Sequence, residues 1–141
     1  MTLSTLYDRT KTALETISAV KEVSTDIQRF TGANQFPVLY YEIDTTESEW
    51  ITFYGEDVTD REATAEIKVY GTIKPRYKAN IQSNTLTMIS EVERVINSMV
   101  TGTDVVNVKL NSHRNDIDIN NAFGYIEMIF EVVYLYKRQS P

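Results

Sequence analysis

The chain has 141 residues, a length that fits one domain able to bury roughly two-thirds of the surface its unfolded form would expose. It contains no cysteine, which excludes thiolate nucleophiles, disulfides and cysteine-ligated zinc and agrees with assembly in a reducing cytosol. A net charge of -6 and a pI near 4.8 argue against tight, salt-sensitive nucleic-acid binding, which needs clustered Lys and Arg.

The opening residues lack a basic region followed by an apolar block, and no run approaches the roughly 18 apolar residues of a membrane span, so a soluble, unexported protein is expected. Leu3, Leu6, Tyr7, Thr10, Leu14 and Ile17 follow helical spacing behind Thr2 or Ser4 as N-cap, which predicts an amphipathic helix over 3–18. Residues 20–30 alternate weakly and predict a short strand, followed by a turn at 31–34. Pro37 opens a strand over 38–44, where proline is tolerated at the first position. Residues 45–60 are acidic and aromatic, and predict a long loop or a loop holding a short strand.

The next segment alternates most clearly: Ala63, Ala65, Ile67, Val69, Gly71 and Ile73 share one face, with Thr64, Glu66, Lys68, Tyr70, Thr72 and Lys74 on the other, and Pro75 ends it. Ile81, Thr85, Met88, Ile89, Val92, Val95, Ile96 and Met99 trace a second helical stripe, starting near Asn80 or Ser83 and stopping before Gly102 as C-cap. A strand over 105–110, a polar turn region over 111–121 and a long strand from Phe123 to Lys137 complete the order. That last strand has a dense apolar face of Ile126, Met128, Phe130, Val132, Tyr134 and Tyr136. Its second face, Tyr125, Glu127, Ile129, Glu131, Val133 and Leu135, is only partly polar. The pattern predicts an α+β fold, a mostly antiparallel β-sheet with two amphipathic helices packed on it, in a single domain over 1–141.

Signals for chemistry are few. His113 is the sole histidine and falls in the expected turn, a poor place for a general base. Asp116, Asp118 and Asn120 followed by Glu127 match the oxygen spacing of a calcium loop, but the flanks read as strands, so a hairpin turn is expected instead. Five scattered glycines build no phosphate cradle. No catalytic residue, cofactor or metal is expected, and the chain is not read as an enzyme.

Charge is uneven along the chain. Glu42, Asp44, Glu47, Glu49, Glu56, Asp57, Asp60 and Glu62 are balanced only by Arg61, whereas Lys68, Lys74, Arg76 and Lys78 stand together without an acid. One chain thus carries both halves of an electrostatic contact between subunits. The expected subunit interface joins Glu47, Glu49, Glu56 and Asp57 to Lys74, Arg76 and Lys78, with Ile129, Glu131 and Val133 covered by a neighbour.

The first helix, the Phe36-Pro37-Val38-Leu39-Tyr40 opening of a strand, the acidic segment, the Ala65-Glu66-Ile67-Lys68-Val69-Tyr70-Gly71 strand, the helix from Ile81 to Met99 and the closing strand Tyr125 to Tyr136 together resemble the tail terminator (tail completion) proteins of long-tailed bacteriophages. The resemblance implies a structural virion protein: a homo-oligomeric ring, usually hexameric, that caps the tail tube at its head-proximal end, stops polymerisation and joins the tail to the neck or head connector, assembled in the host cytoplasm. It implies contact with the tube protein, the connector and a tail sheath, and duplex DNA passing through the hole without specific binding. Another phage neck or baseplate protein, or a small α+β ligand-binding domain or enzyme, are the alternatives.

Overall fold

A computed structural model of the protein describes residues 2–25, 37–50, 60–74, 80–102, 104–118 and 123–137, and for 45–50, 60, 61, 118, 136 and 137 it describes the backbone alone. Helix α1 spans Leu3–Glu15. The Thr2 hydroxyl accepts the Thr5 amide at 3.2 Å, satisfying one of the donors a helix start leaves unpaired. The helix stops earlier than the stripe suggested, yet Ile17 remains buried beside Leu6, Thr10 and Leu14. Helix α2, Ile81–Asn97, buries its whole predicted stripe. Its C-cap is Ser98; Gly102 serves the following turn instead, at φ 80, where its amide and that of Thr101 both donate to the Val105 carbonyl at 3.0 Å.

The strands are β1, Glu22–Ser24; β2, Val38–Trp50; β3, Asp60–Ile73; β4, Val105–Asp118; and β5, Phe123–Lys137. They form one sheet in the order β1-β2-β3-β5-β4, antiparallel throughout except for the short parallel pair β1–β2. The fold is therefore α+β with a mostly antiparallel sheet, as the pattern implied.

Three expectations need correction. Of the weak strand expected over 20–30, the described part forms Glu22–Ser24 alone; residues 26–30 and the turn expected at 31–34 lie outside the described residues. The acidic segment is strand where it is described, since β2 runs on to Trp50 and β3 begins at Asp60, with a register shift between Thr45 and Glu47 that breaks the alternation; residues 51–59 lie outside the described residues. The polar turn over 111–121 is instead strand as far as Asp118. Its residues 111–116 are exposed at the edge of the sheet, and a second irregularity between Leu110 and Ser112 shifts the register, so no apolar period marks it.

Both helices lie on one sheet face. Leu39, Tyr41 and Ile43 of β2, Ala65, Ile67 and Val69 of β3, and Met128, Phe130 and Val132 of β5 meet Leu6 and Leu14 of α1 and Val92 and Ile96 of α2 in one buried cluster. Each such large apolar side chain contributes about 1.5–3 kcal/mol by leaving water. The buried threonines bond back to their own helices: Thr10 donates to the Leu6 carbonyl at 2.7 Å and Thr85 to that of Ile81 at 2.6 Å, so neither hydroxyl is left unpaired in the core.

Helix α1 is also tied to the sheet by polar contacts. Strand β1 pairs only with Val38–Tyr40, which leaves the same edge of β2 open further along. There the Tyr7 hydroxyl donates to the Ile43 carbonyl at 3.0 Å and accepts the Ile43 amide at 3.2 Å, standing in for the missing strand. Tyr41 returns the contact, donating to the Tyr7 carbonyl at 3.1 Å. At the other end of the helix layer, Arg9 pairs with Asp104 at 2.6 Å and holds α1 to the turn before β4.

Candidate functional site

With the helices confined to one face, no described element lies over the other, and of the residues singled out for assembly Ile129, Glu131 and Val133 fall there. Along β5 this face carries Tyr125, Glu127, Ile129, Glu131, Val133 and Leu135, between Tyr70, Lys68, Glu66, Thr64 and Glu62 of β3 and Arg114, Ser112, Lys109 and Asn107 of β4. Ile129 and Val133 are half-buried by these cross-strand neighbours, so the apolar area they present is smaller than the sequence pattern alone suggests; Glu131 is exposed. Glu131 stands directly opposite Glu66, an unfavourable pairing that Lys109 on the other flank and Lys68, 4.0 Å from Glu66, offset. At one end of this same face Val38 and Thr72 are buried as well.

Toward β2 the face becomes polar and ordered. The rings of Tyr40 and Tyr70 stack at 5.6 Å, and both hydroxyls donate to Glu42, at 3.4 and 3.3 Å. Burial, followed by the charge and hydrogen bond of Glu42, pushes the Tyr70 phenol up to about 12; burial, followed by Asp8, does the same for Tyr41 inside the core. The folded chain thus keeps two protons that the unfolded chain releases from about pH 10 upward. Stability on their account is intact below that pH and falls as pH rises through about 12. A phenolate absorbance titration should show at least two late-ionising tyrosines, one fewer in Tyr70→Phe; complete ionisation of a still-folded chain near pH 10 would contradict the assignment.

The other interface candidates are spread more widely. Glu47 and Glu49 occupy β2 positions opposite Thr64 and Glu62, while Glu56, Asp57, Arg76 and Lys78 lie outside the described residues. Lys74 is exposed just past β3, its Nζ 5.0 Å from the centre of the Phe123 ring, a cation–π contact. The structure therefore brings Ile129, Glu131 and Val133 together, and of the acid-to-base half of the expected contact it describes Lys74 and the backbone of Glu47 and Glu49 alone.

For catalysis or metal binding the arrangement offers little. His113 is not in a turn: it lies in β4 opposite Met128 and is exposed. The calcium-like spacing becomes two strands of a hairpin, with Asp116 opposite Tyr125 and Glu127 opposite Arg114, 3.6 Å from its guanidinium. Among the described residues no group of three or more His, Asp or Glu side chains is placed to hold a metal ion. A shallow depression of about 340 Å³ opens between Tyr70, Arg114, Asp116, Tyr125 and Glu127 on the uncovered face. Two others, of about 370 and 390 Å³, flank α1, one beside Lys11, Lys21 and Glu22 and one beside Asp8, Arg9 and Met99.

Sequence reasoning missed the Tyr7–Ile43 bridge and the Tyr40–Glu42–Tyr70 cluster. The second had a signal, since Tyr40, Glu42 and Tyr70 all fall on outward positions of two adjacent strands; recognising it required the register. No helix of the described residues is long and apolar enough to cross a membrane. No protein-family model matches the chain, and no curated protein matches it either.

Proposed function

We propose that this protein is a structural virion component that assembles as a ring on the head-proximal end of a bacteriophage tail tube, ending tube growth and presenting a platform for the head connector. The observation that supports this reading is the one-sided sheet: helices cover one face, and the other presents a broad, partly apolar strand surface with no described element over it. A surface of that kind suits burial against a neighbouring subunit better than it suits a small substrate. The resemblance in element order supports the particular assembly.

In such a ring each subunit offers two different surfaces, because head-to-tail contacts close a cycle only when the surfaces are complementary. The acidic stretch from Glu47 to Asp57 meets Lys74, Arg76 and Lys78 of the next subunit, and Ile129 and Val133 become buried. Exposed pairs contribute about 1 kcal/mol or less each, so they set register more than affinity. Substituting Lys74, Arg76 and Lys78 together by Glu should weaken ring formation and flatten its salt dependence; unchanged assembly would remove this contact from the account. The acidic balance also suits a lumen through which duplex DNA slides, since negative walls do not hold phosphates.

The test of the function is tube length. Tail-tube protein polymerised with this chain present should give tubes that stop growing and do not resume when more tube protein is added. Continued growth at excess chain would overturn the proposal.

A further inference from the structure

Strand β4 is the last described strand of the sheet, and no described strand pairs with its outer edge along residues 112–118. The side chains of residues 112–116 on this stretch are exposed on both faces, including His113 and Asn115 on the helix side, so neither helix overhangs it. A long free edge ordinarily invites indiscriminate pairing, and charged residues on it ordinarily discourage that. Here the charges do something more selective. Arg114 and Asp116 both point to the uncovered face, opposite Glu127 and Tyr125 of β5, and flank Asn115 symmetrically.

We propose that this edge pairs with the same edge of a second copy, antiparallel, about a two-fold axis through Asn115. In that register Arg114 of each copy faces Asp116 of the other, His113 faces Ile117, and position 112 faces position 118. Every opposing pair has its side chains on the same face, as a continuous sheet requires. Half-residue shifts place the uncovered face of one copy beside the helix face of the other. The register centred on Asn115 pairs Arg114 with Asp116 twice and sets no like charges opposite. The axis at residue 114 sets Arg114 against itself, and the axis at residue 116 sets Asp116 against itself while facing Arg114 with Asp118. The irregularity between Leu110 and Ser112 limits the pairing at one end.

The side chains are free to make this contact. Arg114 is 83% exposed and holds Glu127 only at 3.6 Å, while Asp116 is exposed and has no ion pair among the described residues. An isologous contact of this kind closes on two subunits, in contrast to the head-to-tail ring contact, and uses a different surface. It goes beyond the ring reading and does not rest on it: the pairing concerns the free protein, and tube capping is measured separately. So short a pairing sits at the small end of specific interfaces, and the dimer is expected at high protein concentration.

Sedimentation equilibrium up to about 1 mM should show a monomer–dimer equilibrium. Arg114→Asp should weaken it about tenfold or more, Asp116→Arg likewise, and the two substitutions together should restore it, since the charges are then exchanged but still opposed. Because the chain has no cysteine, Asn115→Cys supplies a direct geometric test that survives poor folding of the charge variants. Residues facing each other across antiparallel strands have Cα atoms about 4.5–5.5 Å apart, inside the range a disulfide spans. Mild oxidation should therefore link Asn115→Cys into a dimer. Lys109→Cys should remain unlinked, its two copies lying about 40 Å apart at ~3.3 Å per residue. A wild-type monomer throughout the concentration range, a dimer indifferent to the charge substitutions, or equal cross-linking of both cysteine variants would each overturn the proposal.

Discussion

Phe130→Ala should lower the unfolding free energy by about 3–5 kcal/mol, a large share of the roughly 5–15 kcal/mol that holds a domain together. Phe130 has no exposed surface and lies at the middle of the long strand β5, opposite Ile67 on β3 and Leu110 on β4. Removing its ring opens a cavity beneath the helices that flanking strands, locked in register on both sides, are poorly able to close. Chemical denaturation should show the midpoint falling with little change in slope. A loss below about 1 kcal/mol would mean that the core is less tightly packed around β5 than described.

Gly124→Ala should also be damaging, for the opposite reason. A methyl group built there falls inside the contact distance of Thr85 Oγ1 and 3.3 Å from Ile81 Cδ1, both on the first turns of α2. Thr85 has little room to move: it is β-branched, fully buried and bonded to the Ile81 carbonyl, so helix and strand must separate. Overpacking of this kind costs about 1–3 kcal/mol. Gly71→Ala should also cost stability, because its methyl meets Ile126 Cγ1 at 2.8 Å, on a buried β-branched side chain, and Leu39 Cδ2 at 2.9 Å. Thr85→Ala made together with Gly124→Ala should recover part of the loss, and a double-mutant cycle measures that coupling. Strict additivity of the two substitutions would show that Gly124 and Thr85 are not in contact.

Why these two residues matter was unequally legible. Phe130 announces itself, because β5 is paired on both sides and covered by helices on one face, which imposes a period of two over its whole length. The same physics made β3 and the α2 stripe readable, down to Ile73 and Met99. Gly124 gave only a general hint, that glycine inside a strand marks a close approach, without saying to what. The far half of β4 was unreadable because an exposed edge strand imposes no apolar period and its irregularity would have broken one; residues 111–118 looked like a turn for that reason alone. The acidic continuation of β2 was hidden by the register shift between Thr45 and Glu47, which interrupts the alternation. Strand order was not written in any local pattern either: that β5 stands between β3 and β4 follows from which long strands can share the helix-covered face. On the functional side, the outward set Ile129, Glu131 and Val133 was visible from alternation, whereas the Tyr40–Glu42–Tyr70 cluster and the symmetric placement of Arg114 and Asp116 on a free edge emerged only from the register.

The central claim concerns assembly, and electron microscopy of the purified protein mixed with uncapped tail tubes addresses it most directly. The account predicts a ring of this protein seated on one end of each tube, with Ile129 and Val133 buried between subunits, and loss of that ring when Val133 is replaced by Lys in a chain that still folds. Bare tube ends at saturating protein, or rings that form equally well with the Val133→Lys chain, would contradict it.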